Sequence, residues 1–208
     1  MRRLAVRSFC AIVTLLELLM VATPLGGEEI LQPPIIRIGE WWEFRNSRES
    51  WRVTVEAIDG DLYILSDSRD PNRMYYMDRN LRIVKRVDKS GLETQYAAPP
   101  YLKFPLDPNI SWQVTTVSDR LGGEVVYSFT AKGWEEVDIG ERAIRALRID
   151  VAETIRRGGV AEPGATEVVW YSPEAKQIVL HVCDCNGRPE WVLVNWGGPE
   201  DSPFRRGR

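Results

Sequence analysis

Polar and apolar positions in this chain alternate with a period of two over most of its length, and no long amphipathic helical stripe follows the first 27 residues. Trp51, Val53, Val55 and Ala57 alternate with Arg52, Thr54 and Glu56. Such alternation sends side chains to opposite faces of a strand, one for a core and one for water. Asp59-Gly60 follows, and Asp61 to Asp67 is strand-like again. A two-residue Asp-Gly connection predicts a tight hairpin, because glycine accepts the positive φ of the turn. That register pairs Ala57 with Leu62, Val55 with Ile64 and Arg52 with Asp67. It puts Trp51, Val53, Val55, Leu62 and Ile64 on one core face. A second hairpin is predicted around Asn186-Gly187, with Val182 opposite Trp191 and Leu180 opposite Leu193. Val179, His181 and Cys183 then share a mixed face. Pro189 has no amide proton, so the last strand is expected at a sheet edge near its start.

Further strand-like runs are Arg73–Asp78, Leu81–Val87, Trp112–Val117, Glu124–Lys132, Ile144–Thr154 and Thr166–Tyr171. Turn formers separate them, among them Gly122-Gly123, Asp138-Ile139-Gly140 and Gly158-Gly159. Many short strands with regular turn signals predict an all-β, antiparallel protein. The Pro-rich stretch from Pro99-Pro100 to Pro108 reads as a crossing between two sets of strands. Neither set alone makes a large core, so residues 28–200 are expected to form a single antiparallel β domain. Residues 201–208 read as a basic, flexible tail.

The first 27 residues have a different pattern. Arg2, Arg3 and Arg7 precede an apolar run from Phe9 to Ala22, closed by Thr23, Pro24, Gly26 and Gly27. Basic, apolar and small segments in that order are the signature of a secretory signal peptide, with cleavage expected between residues 22 and 28. The run is short of the roughly 20 apolar residues of a membrane span, and Glu17 adds a charge that is costly in lipid. The only cysteine near it, Cys10, lies inside the run rather than after it, so a lipid-attachment cysteine is missing. The expectation is an exported protein, periplasmic or secreted, with no membrane span once the signal is removed. Its oligomeric state is open.

Composition narrows the partners. Residues 1–27 carry three Arg and one Glu, which leaves 24 basic and 29 acidic residues and a net charge of −5. Nucleic-acid capture needs a strong basic patch, and none is expected. Two cysteines remain, too few for a disulfide scaffold. All eight Trp fall after residue 27 and can build a substantial core.

His181-Val182-Cys183-Asp184-Cys185 is the one constellation with candidate chemistry. Imidazole and two thiolates are good zinc ligands, and period two puts them on one strand face. Alternate residues on a strand lie about 6.6 Å apart, whereas zinc–sulfur bonds are about 2.3 Å. One extended strand cannot close all three onto one ion, and no second His or Cys cluster completes a site. No metal and no cofactor are expected. A Cys183–Cys185 disulfide suits an oxidising compartment, although the separation is near the upper limit of allowed geometry. Two small, partly buried residues beside a turn remain the plainer reading. The G-x-S-x-G elbow, the P-loop and G-x-G-x-x-G are all absent. Asp67 to Asn72 lacks the ligand series of a calcium loop. Trp41-Trp42 and Trp170-Tyr171 are adjacent pairs whose rings face opposite ways on a strand. One ring of each pair is expected in the core and the other on a groove, so Trp42, Trp112, Trp170 and Tyr171 are the candidates for lining a ligand.

Several short motifs also resemble a known group. They are Gly39-Glu40-Trp41-Trp42-Glu43-Phe44, Tyr75-Tyr76-Met77-Asp78-Arg79-Asn80-Leu81, Phe104-Pro105-Leu106 through Ser111-Trp112, Ile144 to Ile149, and Trp170-Tyr171-Ser172-Pro173-Glu174 through Ile178-Val179. Together they are similar to uncharacterised bacterial exported proteins of the DUF3108-like family. Gly140-Glu141-Arg142-Ala143-Ile144 departs from that pattern, having no aromatic residue after the glycine. The resemblance implies a curved antiparallel sheet, a half-barrel loosely akin to periplasmic lipoprotein carriers. It implies no catalytic residues.

Three functions follow in order of preference. A non-catalytic exported domain would bind an apolar or lipid-like ligand, or an envelope partner, and would show an unfilled apolar groove. A structural envelope protein would show an exposed edge or patch instead. An enzyme would bring His181, Cys183 and Cys185 together in a cleft.

Overall fold

The computed structural model describes residues 30–96, 99–118, 121–140, 142–184 and 191–201. The expected signal segment, Cys185, Asn186-Gly187, Pro189 and residues 202–208 lie outside the described residues. Twelve strands form: β1 Trp41–Arg45, β2 Ser50–Asp59, β3 Leu62–Asp67, β4 Arg73–Met77, β5 Ile83–Asp88, β6 Glu93–Gln95, β7 Ser111–Ser118, β8 Gly123–Asp138, β9 Ala143–Arg157, β10 Val160–Ser172, β11 Gln177–Cys183 and β12 Trp191–Gly197. A short 3-10 turn spans Pro199–Asp201, and no α-helix occurs among the described residues.

All twelve strands belong to one curved antiparallel sheet in the order β6-β5-β4-β3-β2-β1-β12-β11-β10-β9-β8-β7, not closed into a barrel. Two six-stranded meanders thus meet where β1 pairs with β12. The expectation of a terminal strand at an edge is corrected here. β12, Trp191–Gly197, is central, flanked by β1 and β11. The two edges are β6 and β7.

Both hairpin registers also differ from expectation. The first turn centres on Gly60-Asp61, so Asp59 pairs with Leu62, and a bulge between Val55 and Ala57 shifts the register by one. Tyr63, Leu65 and Asp67 therefore carry the buried phase of β3, not Leu62 and Ile64. A bulge reverses phase in this way because one residue is left unpaired. Arg52 and Asp67 do not pair; Arg52 bonds Glu43 and Asp67 bonds Arg69. In the second hairpin, His181 faces Trp191 and Leu180 faces Val192. That one-residue slip makes the mixed face of Val179, His181 and Cys183 the buried one. β8 and β9 extend well beyond their predicted ends. Gly133, with φ of 101°, sits at a bulge after Ala131 and lets β8 continue through Trp134 to Asp138.

The pairings define one continuous inner face, from Trp112 and Phe129 through Ile149, Val169, His181 and Trp191 to Phe44, Trp51 and Leu65. The connection from β6 to β7 must travel from one sheet edge to the other, and it crosses this face as a strap. Leu102 and Leu106 on the strap are 0% exposed. They pack with Leu31, Trp112, Phe129, Leu147, Ile149 and Tyr171. Leu31 and Leu106 exchange backbone hydrogen bonds of 2.9 and 2.8 Å, which pins the N-terminal segment beside the strap. The outer face is held by charge and aromatic contacts. Arg52 stacks over Trp41 at 4.0 Å while pairing with Glu43. Gly197 lies opposite Trp41, and a Cβ there would meet the indole at 2.9 Å.

Candidate functional site

Under the start of the strap the inner face is not filled. A groove of about 360 Å³ opens there, at the lower end of small-molecule sites. Period two in β1 to β5 aims Phe44, Trp51, Val53, Leu65, Met77 and Ile83 into it. Val169, Ile178, His181 and Trp191 come from β10 to β12, and Tyr96, Pro99 and Tyr101 from the strap. Aromatic rings form an arc along the wall. Trp51 stacks on Phe44 at 5.6 Å, Phe44 meets the edge of Trp191 at 5.1 Å, Trp191 leans on His181 at 5.7 Å, and His181 on Tyr101 at 5.8 Å. Leu81 adds another apolar wall from a turn in which its φ is 58°. A bulky residue rarely occupies that left-handed region, and such strain tends to collect at functional sites.

One end of the arc is polar. Glu167, 3% exposed, accepts a hydrogen bond of 2.5 Å from the Tyr101 hydroxyl. His181 Nε2 lies 3.1 Å from the same Oε2. An ionised carboxylate only accepts, so both contacts are satisfied when the phenol and the Nε2–H donate. The cluster clasps the strap to β10 and β11. Two cations also line the groove. Arg69 stacks over Trp51 at 4.0 Å and donates to Asp67 through Nε and Nη2. Burial acts to lower the Arg69 pKa, but the Asp67 hydrogen bond and nearby carboxylates outweigh it and raise the pKa. Arg82 donates from Nε to Asp78 at 3.0 Å.

A second, polar pocket of about 330 Å³ lies between Glu40, Trp42, Arg142, Lys176 and Trp196. Lys176 pairs with Glu40 at 2.7 Å, and Arg142 stacks on Trp196 at 3.6 Å.

None of the four residues expected to line a ligand is in the wall of this groove. Trp42 is 1% exposed and borders the polar pocket, its Nε1 donating to the Ala175 carbonyl. Trp112 stacks on Phe129 in the filled region. Tyr171 is buried beside Phe104, and burial pushes its phenol pKa well up. Trp170 is on the outer face, donating to Glu135 at 2.8 Å. Phe44, Trp51 and Trp191 line the groove in their place. Glu167 was readable from its phase, since it alternates in step with Val169 and Tyr171 on β10. Cys183 is in a disulfide, and it pairs across the ladder with Glu167. Cys185 lies outside the described residues. Among the described residues no group of three His, Cys, Asp or Glu side chains is placed to hold a metal ion.

No family model matches the chain, and no curated protein matches it. Solved structures similar to it include two exported or lipoprotein-type chains. One is the hypothetical lipoprotein YmcC of Escherichia coli, 14% identical, with a TM-score of 0.44 over 75% of this chain and 83% of that one. The other is a Bacteroides fragilis protein described as exported and YmcC-like in fold, 11% identical, with a TM-score of 0.36 over 81% of this chain and 99% of that one. At these values neither description transfers to this chain.

Proposed function

We propose that this chain is an exported, non-catalytic β domain of the cell envelope that holds an apolar, lipid-like ligand in the groove beneath its strap. The observation that carries the reading is that groove. Its wall is aromatic and aliphatic, yet the protein's own side chains leave it open while filling the neighbouring stretch of the same face. Apolar concavities with a few convergent polar groups are the usual form of small-ligand sites. The basic, apolar and small segments of residues 1–27 support export. Native mass spectrometry of the exported protein tests the reading. A bound mass released by organic solvent is expected. A bare mass from protein prepared without detergent or denaturant would count against it.

The β7 edge favours a second reading, docking to an envelope partner. Ser111–Ser118 is eight residues long, carries no charge, and exposes Val117 at 73%. Edge strands are commonly blunted by charge, proline or brevity, as three-residue β6 with Glu93 is. A mass corresponding to a complex through β7, lost on Val117→Lys, would shift weight to this reading.

A further inference from the structure

The groove's ionisable lining is uneven in sign. Arg69, Arg82 and His181 face it, and no aspartate or glutamate is among its lining residues. The chain as a whole is acidic, with 30 Asp and Glu against 27 Lys and Arg, so a groove lined only by basic groups departs from the background. The carboxylates that partner these groups lie outside the lining: Glu167 stands 3.1 Å from His181, and Glu49 4.0 Å from Nη1 of Arg69. Asp67 takes Nε and Nη2 of Arg69, and Asp78 takes Nε of Arg82. These bonds fix the guanidinium planes. At Arg82 they leave the Nη donors for an incoming group, and guanidinium donors match planar or tetrahedral oxyanions.

Resting on the groove reading above, we propose that the ligand is an anionic single-chain amphiphile. Its alkyl chain lies along Phe44, Trp51, Met77 and Trp191, and its carboxylate or phosphate head meets Arg82, whose Nη donors are unused. The volume of about 360 Å³ suits one chain rather than several.

The test is calorimetric titration of the whole exported protein with four probes of equal chain length, each below its micelle concentration. They are hexadecanoate, hexadecyl phosphate, hexadecanol and hexadecyltrimethylammonium. At least one anionic probe should bind about tenfold or more tighter than hexadecanol, as expected for charge-assisted hydrogen bonds. The cationic probe should bind most weakly, and added salt should narrow the spread. Preference for the phosphate would point to a phospholipid-type head and preference for hexadecanoate to a free fatty acid; either supports the proposal. Arg82→Gln should erase most of the anionic advantage and leave hexadecanol within about twofold. Equal binding of all four probes, or preference for the cation, would overturn the anionic head and leave the groove reading standing. If no probe binds, the groove reading itself fails. The comparison of head groups on the unmodified protein holds even if a variant does not fold.

Discussion

The inner face of the sheet is used in two ways. Over β7 to β10 the strap and the N-terminal segment lie on it, and Leu31, Leu102 and Leu106 fill the space against Trp112, Phe129 and Leu147. Over β1 to β5 the cover is partial: Ile36 and Ile139 pack with Val55 and Tyr63, while rings of similar size, Phe44 and Trp51, border open volume. Both stretches have the same period, similar residue types and the same curvature-forming ladder. The difference is the strap, whose apolar leucines come late in its course, after Tyr101. One strap crossing a wide half-barrel fills one side and leaves a groove on the other.

The largest effect should come from the covered side. Leu106→Ala removes a fully buried side chain from the strap and should destabilise the protein by about 2–5 kcal/mol in urea denaturation, with Leu102→Ala similar. Ile83→Ala, on the groove wall, should cost about 1 kcal/mol or less, because its side chain is only partly buried. Equal costs would erase the distinction between the two sides.

Tyr101→Phe comes next. It removes the one hydroxyl that donates from the strap to buried Glu167. Leaving that carboxylate short of a donor should cost about 1–3 kcal/mol, read as a lower thermal midpoint. An unchanged midpoint would mean that the clasp does not hold the strap.

Leu81→Gly sharpens the comparison. Relieving a left-handed leucine should gain about 1 kcal/mol, offset by the lost apolar wall, so stability should move little. Affinity for an alkyl probe should drop several-fold. A variant that binds as well as the parent would take Leu81 out of the site.

The covered side also predicts a pH response. Burial raises the Tyr171 pKa above its ordinary value of 10.0. The folded protein then holds the phenolic proton more tightly than the unfolded chain. The associated stability is complete below pH 10 and is lost as pH rises above it. Ultraviolet titration should show the Tyr171 phenolate appearing only together with unfolding. Reversible ionisation in the folded state would contradict its burial. Smallest of all is Glu43→Gln on the outer face. It breaks a half-exposed pair with Arg52 and should change stability by no more than about 1 kcal/mol.

Much of the fold was legible in the residues, and the failures have physical causes. Period two identified the strands because each buries one face against water on the other. It could not place the bulges, and each bulge reverses phase. Leu62 and Ile64 were therefore assigned to the face that Tyr63 and Leu65 occupy. In the second hairpin a one-residue difference in register turns the mixed face with His181 inward. The strand expected over Glu124–Lys132 ends short of Gly133, which is a bulge inside β8. The groove was harder to see. Phe44 and Trp191 touch across the β1–β12 seam although far apart in sequence, and no local pattern reports that contact. Trp42 and Tyr171 drew attention as aromatics, but on this sheet they are the best-filled positions. The polar end was half legible. Glu167 shares the inner phase of β10, but its partner Tyr101 is on the strap.

The central claim is that the open half of the inner face holds an alkyl chain and the covered half does not. Quenching of tryptophan emission by a brominated hexadecanol tests it directly. The account predicts strong saturable quenching in the parent and in Trp112→Phe, and its loss in a Trp51→Phe, Trp191→Phe double variant that melts like the parent. Quenching that survives the double variant, or that vanishes with Trp112→Phe, would contradict it.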